Sequence, residues 1–206
     1  AFAKSMTSLV TNLATDQDLN VDANDLMGTL NEHVMDYLAL SKNDYKVATG
    51  MASSLASIEA VQESMHNEGV SSLGDKLKEA STMSYSELLD DEDFQNLLNN
   101  AGIDLSDYVD NRSDPGQMKD MTMTIAKSIA DQVRDDQGGY NAKALSEEFG
   151  ISSNGLRQIS MAYDDGSLED TYNKALKTTQ GDGNQADLGK LGDLATSTTD
   201  MISNWF

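Results

Sequence analysis

The stretch TDQDLNVDANDL, Thr15 to Leu26, sets Asp16, Asp18, Asn20, Asp22 and Asn24 on alternate positions, the spacing at which a calcium-binding loop presents its oxygen ligands. An EF-hand loop beginning at Asp16 would need Gly at its sixth position for the sharp turn, a larger aliphatic side chain at its eighth and a bidentate Glu at its twelfth. The chain supplies Val21, Ala23 and Met27 instead. The positions that shape and close such a site are wrong, so the stretch reads as an acidic connection in which Asp22, Asn24 or Asp25 caps the next helix. No metal and no cofactor is expected.

Other constellations are weighed the same way. His33 and His66 are the only imidazoles. On one continuous helix rising 1.5 Å per residue they would stand roughly 50 Å apart, too far to share a metal or form an acid–base pair. Cys is absent, so a His-assisted nucleophile would have to be Ser or Thr, and no Gly-x-Ser-x-Gly elbow occurs. Asp90, Asp91, Glu92 and Asp93 imitate the paired carboxylates of a hydrolase, but in so acidic a chain such a run is ordinarily a solvated face or a helix start. QGG at 137–139 and QGDGN at 180–184 lack the Lys of a phosphate loop and read as hinges. ALSEEFGISSNGLRQIS, Ala144 to Ser160, has the form of a helix-turn-helix with Gly150 at the turn and Ile151, Leu156 and Ile159 facing inward. Its second helix carries Arg157 as its only cation and is followed by Asp164 and Asp165, so a helical hairpin in the core is the better reading.

The elements that position these residues are helical. Phe2, Met6, Leu9, Val10 and Leu13 form one stripe. Leu26, Leu30, Val34 and Leu38, then Tyr45, Ala48, Met51, Leu55, Ile58 and Met65, continue at helical spacing, as a long helix or hairpin does. Gly50 inside that pattern either weakens the helix or permits a close crossing. Asn67 to Gly74 looks like a polar connection. Further on, Ser84 with Glu87, Asp114 with Pro115, and Ser167 with Asp170 mark helix starts. Leu188, Leu191, Leu194, Met201, Ile202, Trp205 and Phe206 form a last stripe after the Gly-containing linker 178–187. With one Pro and few β-branched runs, the expected fold is all-α. It comprises an amino-terminal helical region (1–66) with a long amphipathic helix or hairpin, a cluster of short helices (75–179), and a carboxyl-terminal docking helix (188–206), the terminal helices packing on the bundle or on a partner.

Leu, Ile, Val and Phe make up only about a fifth of the 206 residues, so the eleven Met supply needed, adaptable apolar volume. Thirty-five acidic against fourteen basic side chains give a net charge of −21. Such a field repels nucleic acid and anionic membranes, and neither is expected as a partner. No apolar run approaches the roughly 20 residues that span a bilayer. The opening AFAKSMTSLV lacks a signal peptide's apolar centre, and a start at Ala1 leaves room for a preceding segment.

DFQNLLNNAGIDLSDYVDNRSDPGQMKDMTMTIAKSIADQV, Asp93 to Val133, resembles the EspA-type filament proteins of type III secretion in the order of its features: a short helix with an Asn-Gly-Ile-like end, an acidic Tyr-containing connection, and a Gly-led helix rich in Ile and Ala. The resemblance covers about a fifth of the chain. It implies an exported, Cys-free protein whose terminal helices pair as a coiled coil and polymerise outside the cell.

Together these features predict a non-enzymatic bacterial protein, secreted without a signal peptide, that acts through a protein partner or self-association as a secretion-system structural component, tip or effector. Its contact residues would be Phe2, Met6, Leu9 and Leu13 at one end and Leu188, Leu191, Leu194, Met201, Ile202, Trp205 and Phe206 at the other. A phage or virion assembly protein and a carboxylate-based hydrolase effector are the alternatives.

Overall fold

The computed structural model describes residues 2–42 and 44–181, within which there are eleven helices and no strand, so the fold is all-α. Helix α1 spans Phe2–Thr15 and α2 spans Ala23–Leu40, the latter capped by Asp22, whose carboxylate accepts from Asp25 N at 3.0 Å. Helix α3, Tyr45–Met65, starts on Asp44, which accepts from Lys46 N and Val47 N. Between α2 and α3, Lys42 takes the left-handed conformation (φ 54°). The pattern from 26 to 66 is therefore a hairpin and not one continuous helix. The spacing between the two histidines derived for a continuous helix does not apply; His33 lies within α2 and His66 caps the end of α3.

Helix α3 is the axis of the bundle and touches α1, α2, α4, α8 and α11. Ala48, Ala52, Ala56 and Ala60, four residues apart, are all fully buried, a smooth ridge against which neighbouring helices approach closely. Gly50 serves a close approach: a Cβ there would lie 2.2 Å from the Ser113 carbonyl oxygen. Of the buried polar side chains on α3, Ser57, Glu59 and Gln62 are paired, while the Ser54 hydroxyl is not. Glu59 meets Lys78 at 2.5 Å, and Gln62 donates to Ser71 O (2.8 Å) and to the Asp75 carboxylate (3.0 Å).

Helix α4, Glu68–Ser81, occupies the stretch expected as a connection. Asn67 caps it, and Val70, Leu73 and Leu77 are buried at helical spacing. Gly69 and Gly74, which suggested a loop, are where other groups come close. A Cβ on Gly69 would lie 1.9 Å from Gly155 O, and one on Gly74 would lie 2.4 Å from the Gln62 amide. Helices α5 (Tyr85–Leu89), α6 (Glu92–Asn100) and α7 (Leu105–Asn111) follow, then α8 (Pro115–Val133), long rather than short, with Pro115 in its first turn and Asp114 as its cap. Ser84 and Glu87 form the expected capping box. From α7, Arg112 is buried and donates to Ala80 O (3.0 Å) and Met83 O (2.6 Å), closing the end of α4 with a cation where the helix dipole favours one.

The expected hairpin of 144–160 forms as α9 (Lys143–Phe149) and α10 (Ser153–Asp164), turned by Gly150 at φ 64°, with Ile151, Leu156 and Ile159 buried. QGG at 137–139 is pinned instead of hinged. The Asp135 carboxylate accepts from Gln137 N and Gly139 N, while Arg134 and Tyr140 both bond Asp164. Helix α11, Ser167–Thr179, is preceded by Gly166 at φ 80°; the left-handed glycine takes the cap position expected of Ser167.

Two glycine substitutions should shift stability in opposite directions. Gly69→Ala forces backbone apart at the α4–α10 crossing and should cost roughly 2–3 kcal/mol. Gly28→Ala, inside α2 with nothing within 4 Å of its Cβ, should add roughly 0.5–1 kcal/mol. Urea unfolding followed by circular dichroism measures both.

Candidate functional site

The acidic loop of Asp16 to Asp25 walls a cleft at the start of α2. About 540 Å³ of space is lined by Asn20, Val21, Asp22, Ala23, Asn24, Asp25, Glu63 and His66. The loop's carboxylates do not converge on one point. Asp16 is buried, takes a hydrogen bond from Thr178 of α11, and accepts from Asp18 N at 2.7 Å. Asp22 is spent on capping α2. No cluster of three or more His, Cys, Asp or Glu side chains arranged for a metal occurs among the described residues.

Glu63 gives the cleft its chemistry. One carboxyl oxygen accepts from Asp22 N at 3.3 Å; the other is buried without a hydrogen-bond partner of ordinary geometry. Burial first, and then the neighbouring Glu59 and Asp25 carboxylates, push its pKa up to about 8. At neutral pH it is mostly protonated, so the cleft holds a proton donor beside the acceptors of Asp22 and Asp25. Across the cleft, Asn20 Nδ2 meets His66 Nε2 at 3.2 Å. His33 lies elsewhere, on α2 beside Tyr37, and burial lowers its pKa.

The expected contact residues fall into two groups. Met6, Leu9 and Leu13 are buried: α1 packs its stripe against α3 and α11, so these side chains complete the chain's own core and are not available as a free surface. Phe2 opens α1, and its side chain lies outside the description. Leu188, Leu191, Leu194, Met201, Ile202, Trp205 and Phe206, and with them the docking helix, lie outside the described residues; of the linker 178–187, Thr178 and Thr179 belong to α11.

Exposed apolar side chains occur away from the expected contact residues, and Tyr45, which the helical spacing puts in a stripe with Ala48 and Met51, is among them. Met35 (62 % exposed), Tyr45 (58 %) and Val47 flank the α2–α3 turn, and Tyr85 and Leu89 stand out from α5. For α5 a signal existed: in SYSELLD, Tyr85 and Leu89 are four apart and share a face. Asp90, Asp91, Glu92 and Asp93 sit at the α5–α6 corner, where Asp91 caps α6 and Asp93 approaches Lys76 at 3.9 Å. No helix among the described residues is long and apolar enough to cross a membrane.

Two measurements test the cleft. Glu63 has a folded pKa above its unfolded value, so its protonation favours folding fully below about pH 4.5, and that advantage is lost as pH rises toward 8. Glu63→Gln should leave the melting temperature unchanged at pH 4–5 and raise it at pH 8–9. The gain should be of order 1 kcal/mol, or about 2–4 °C, because water screens the half-exposed carboxyl. Calorimetric titration with calcium should show no affinity tighter than roughly millimolar, since the loop carboxylates are engaged separately.

No family model, no curated protein and no solved structure matches this chain.

Proposed function

We propose that the protein is a non-enzymatic, exported bacterial component that works through protein–protein contacts, as a structural or tip element of a secretion system or as an effector. The observation that carries this reading is apolar surface left outside a finished core. Met35, Tyr45 and Val47 at one hairpin, and Tyr85 and Leu89 on α5, stand exposed although Met6, Leu9, Leu13 and the α3 ridge are already covered. Exposed apolar groups held on rigid helices mark association surfaces more often than catalytic ones. The order of elements from Asp93 to Val133, with short α6, acidic α7 and the Pro-Gly-led α8, lends support to an EspA-like role. The stripe from Leu188 to Phe206 supplies further association surface in this reading.

Deleting Leu188 to Phe206 tests it. The circular dichroism spectrum should stay helical, because the buried residues of the described helices form one cluster, while light scattering should show self-association or partner binding abolished. Unfolding of the truncated chain would make the segment part of the core, and unchanged association would place the contact surface elsewhere.

A further inference from the structure

The one Asn-Gly step of the sequence, Asn154–Gly155, lies in the first turn of α10, where Gly155 meets Gly69 of α4. The glycine is required there. A Cβ at 155 would fall 3.0 Å from Ile151 Cγ2 and 3.1 Å from Ser152 Oγ, and Gly155 O already crowds Gly69. Close packing thus places after an asparagine the neighbour that least hinders attack of a backbone nitrogen on its side chain. Asn154 is exposed, so water reaches it.

One carboxylate holds both reacting groups. Glu68, at the start of α4, accepts from Asn154 Nδ2 at 2.8 Å and from Ser152 Oγ at 2.9 Å; Ser152 Oγ in turn accepts from Gly155 N at 2.9 Å. The leaving nitrogen is therefore bound directly and the attacking nitrogen through the serine. The bonds from Asn154 and Ser152 keep the Glu68 carboxyl below the usual carboxylate range, so it is ionised and accepts from both at neutral pH. Gln158 fixes the start of α4: its Oε1 accepts from Glu68 N at 2.8 Å and its main-chain oxygen from Asn67 Nδ2 at 3.2 Å. Arg157 Nη2 reaches Asn154 Oδ1 at 3.5 Å.

We propose that Asn154 is a site of spontaneous deamidation governed by this clamp: Glu68 keeps the amide intact while it joins α4 to α10, and conversion releases the joint irreversibly. Gly155 N attacks Asn154 Cγ. The N–Cγ bond of a succinimide forms, the Cγ–Nδ2 bond breaks, and ammonia leaves with the proton that Gly155 N gives up. Water then opens the ring to Asp or isoaspartate. Either product brings a carboxylate to Glu68 in place of the Nδ2 donor, so the clamp cannot re-form. Isoaspartate also adds a main-chain carbon beside Gly155, where the crossing has no room for one.

Peptide mapping by mass spectrometry, which separates the Asn, Asp and isoaspartate forms, follows conversion in the full chain held in mildly alkaline buffer. A free peptide of residues 150–158 is the unguarded reference. The folded chain should convert at least about ten-fold more slowly than the peptide, and Ser152→Ala and Glu68→Ala should each speed it about five-fold. Ser84→Ala removes the comparable serine cap of α5, far from the clamp in sequence, and loosens the fold to a similar degree. It should change the rate less than about two-fold, because the clamp and not global unfolding sets it. Circular dichroism verifies that each variant is folded, and either clamp variant alone suffices for the test. Conversion in the folded chain as fast as in the peptide, a folded clamp variant no faster than the unaltered chain, or equal acceleration by Ser84→Ala overturns the proposal.

Discussion

A chain with few large aliphatic side chains can close a core only by keeping helix axes close together, and here that constraint falls on α3. Its alanine ridge and Gly50 let backbone take the place that Leu and Ile would fill in a richer sequence. The Gly69–Gly155 crossing does the same between α4 and α10. Close-packed backbone recovers dispersion contacts that a thin side-chain inventory does not supply. It also makes the fold intolerant at a few positions where one methyl group has nowhere to go.

Polar groups carried inside by this close packing must find partners there. Lys78 answers Glu59, Gln62 is held by Ser71 and Asp75, and Tyr37 meets Ser81 at 3.0 Å beside the carbonyls that Arg112 closes. Such groups contribute little net stability compared with apolar replacements, but losing one partner strands the other. Their value is directional: each joins a residue of α2, α3 or α7 to α4, and so fixes how α4 is rotated in the bundle.

The helical class, the capping box at Ser84, the Asp114–Pro115 start and the 144–160 hairpin were legible because each rests on local spacing or local hydrogen bonding. The stretch 67–74 was not. Its glycines carry the same letters whether they relax a loop or admit a neighbouring backbone, and only the position of Gly155 and Gln62 tells the two apart. The same limit applied to the candidate site. Glu63 is one glutamate among many until the loop of Asp22 and Asp25 folds over it. The stripe of Met6, Leu9 and Leu13 announced burial correctly but not whose surface would cover it.

The hydrogen bond from Thr178 to Asp16 joins positions 162 residues apart and brings the last described helix against the first. For a chain delivered in order from its amino end, through a ribosome or a narrow export channel, α1 emerges without its final neighbour. The part of its apolar face that α11 covers must wait until nearly all of the described chain has followed, even after α2 and α3 have covered the rest. A carrier that holds α1 during that interval, or a channel that keeps the chain extended, would determine whether the molecule folds or aggregates.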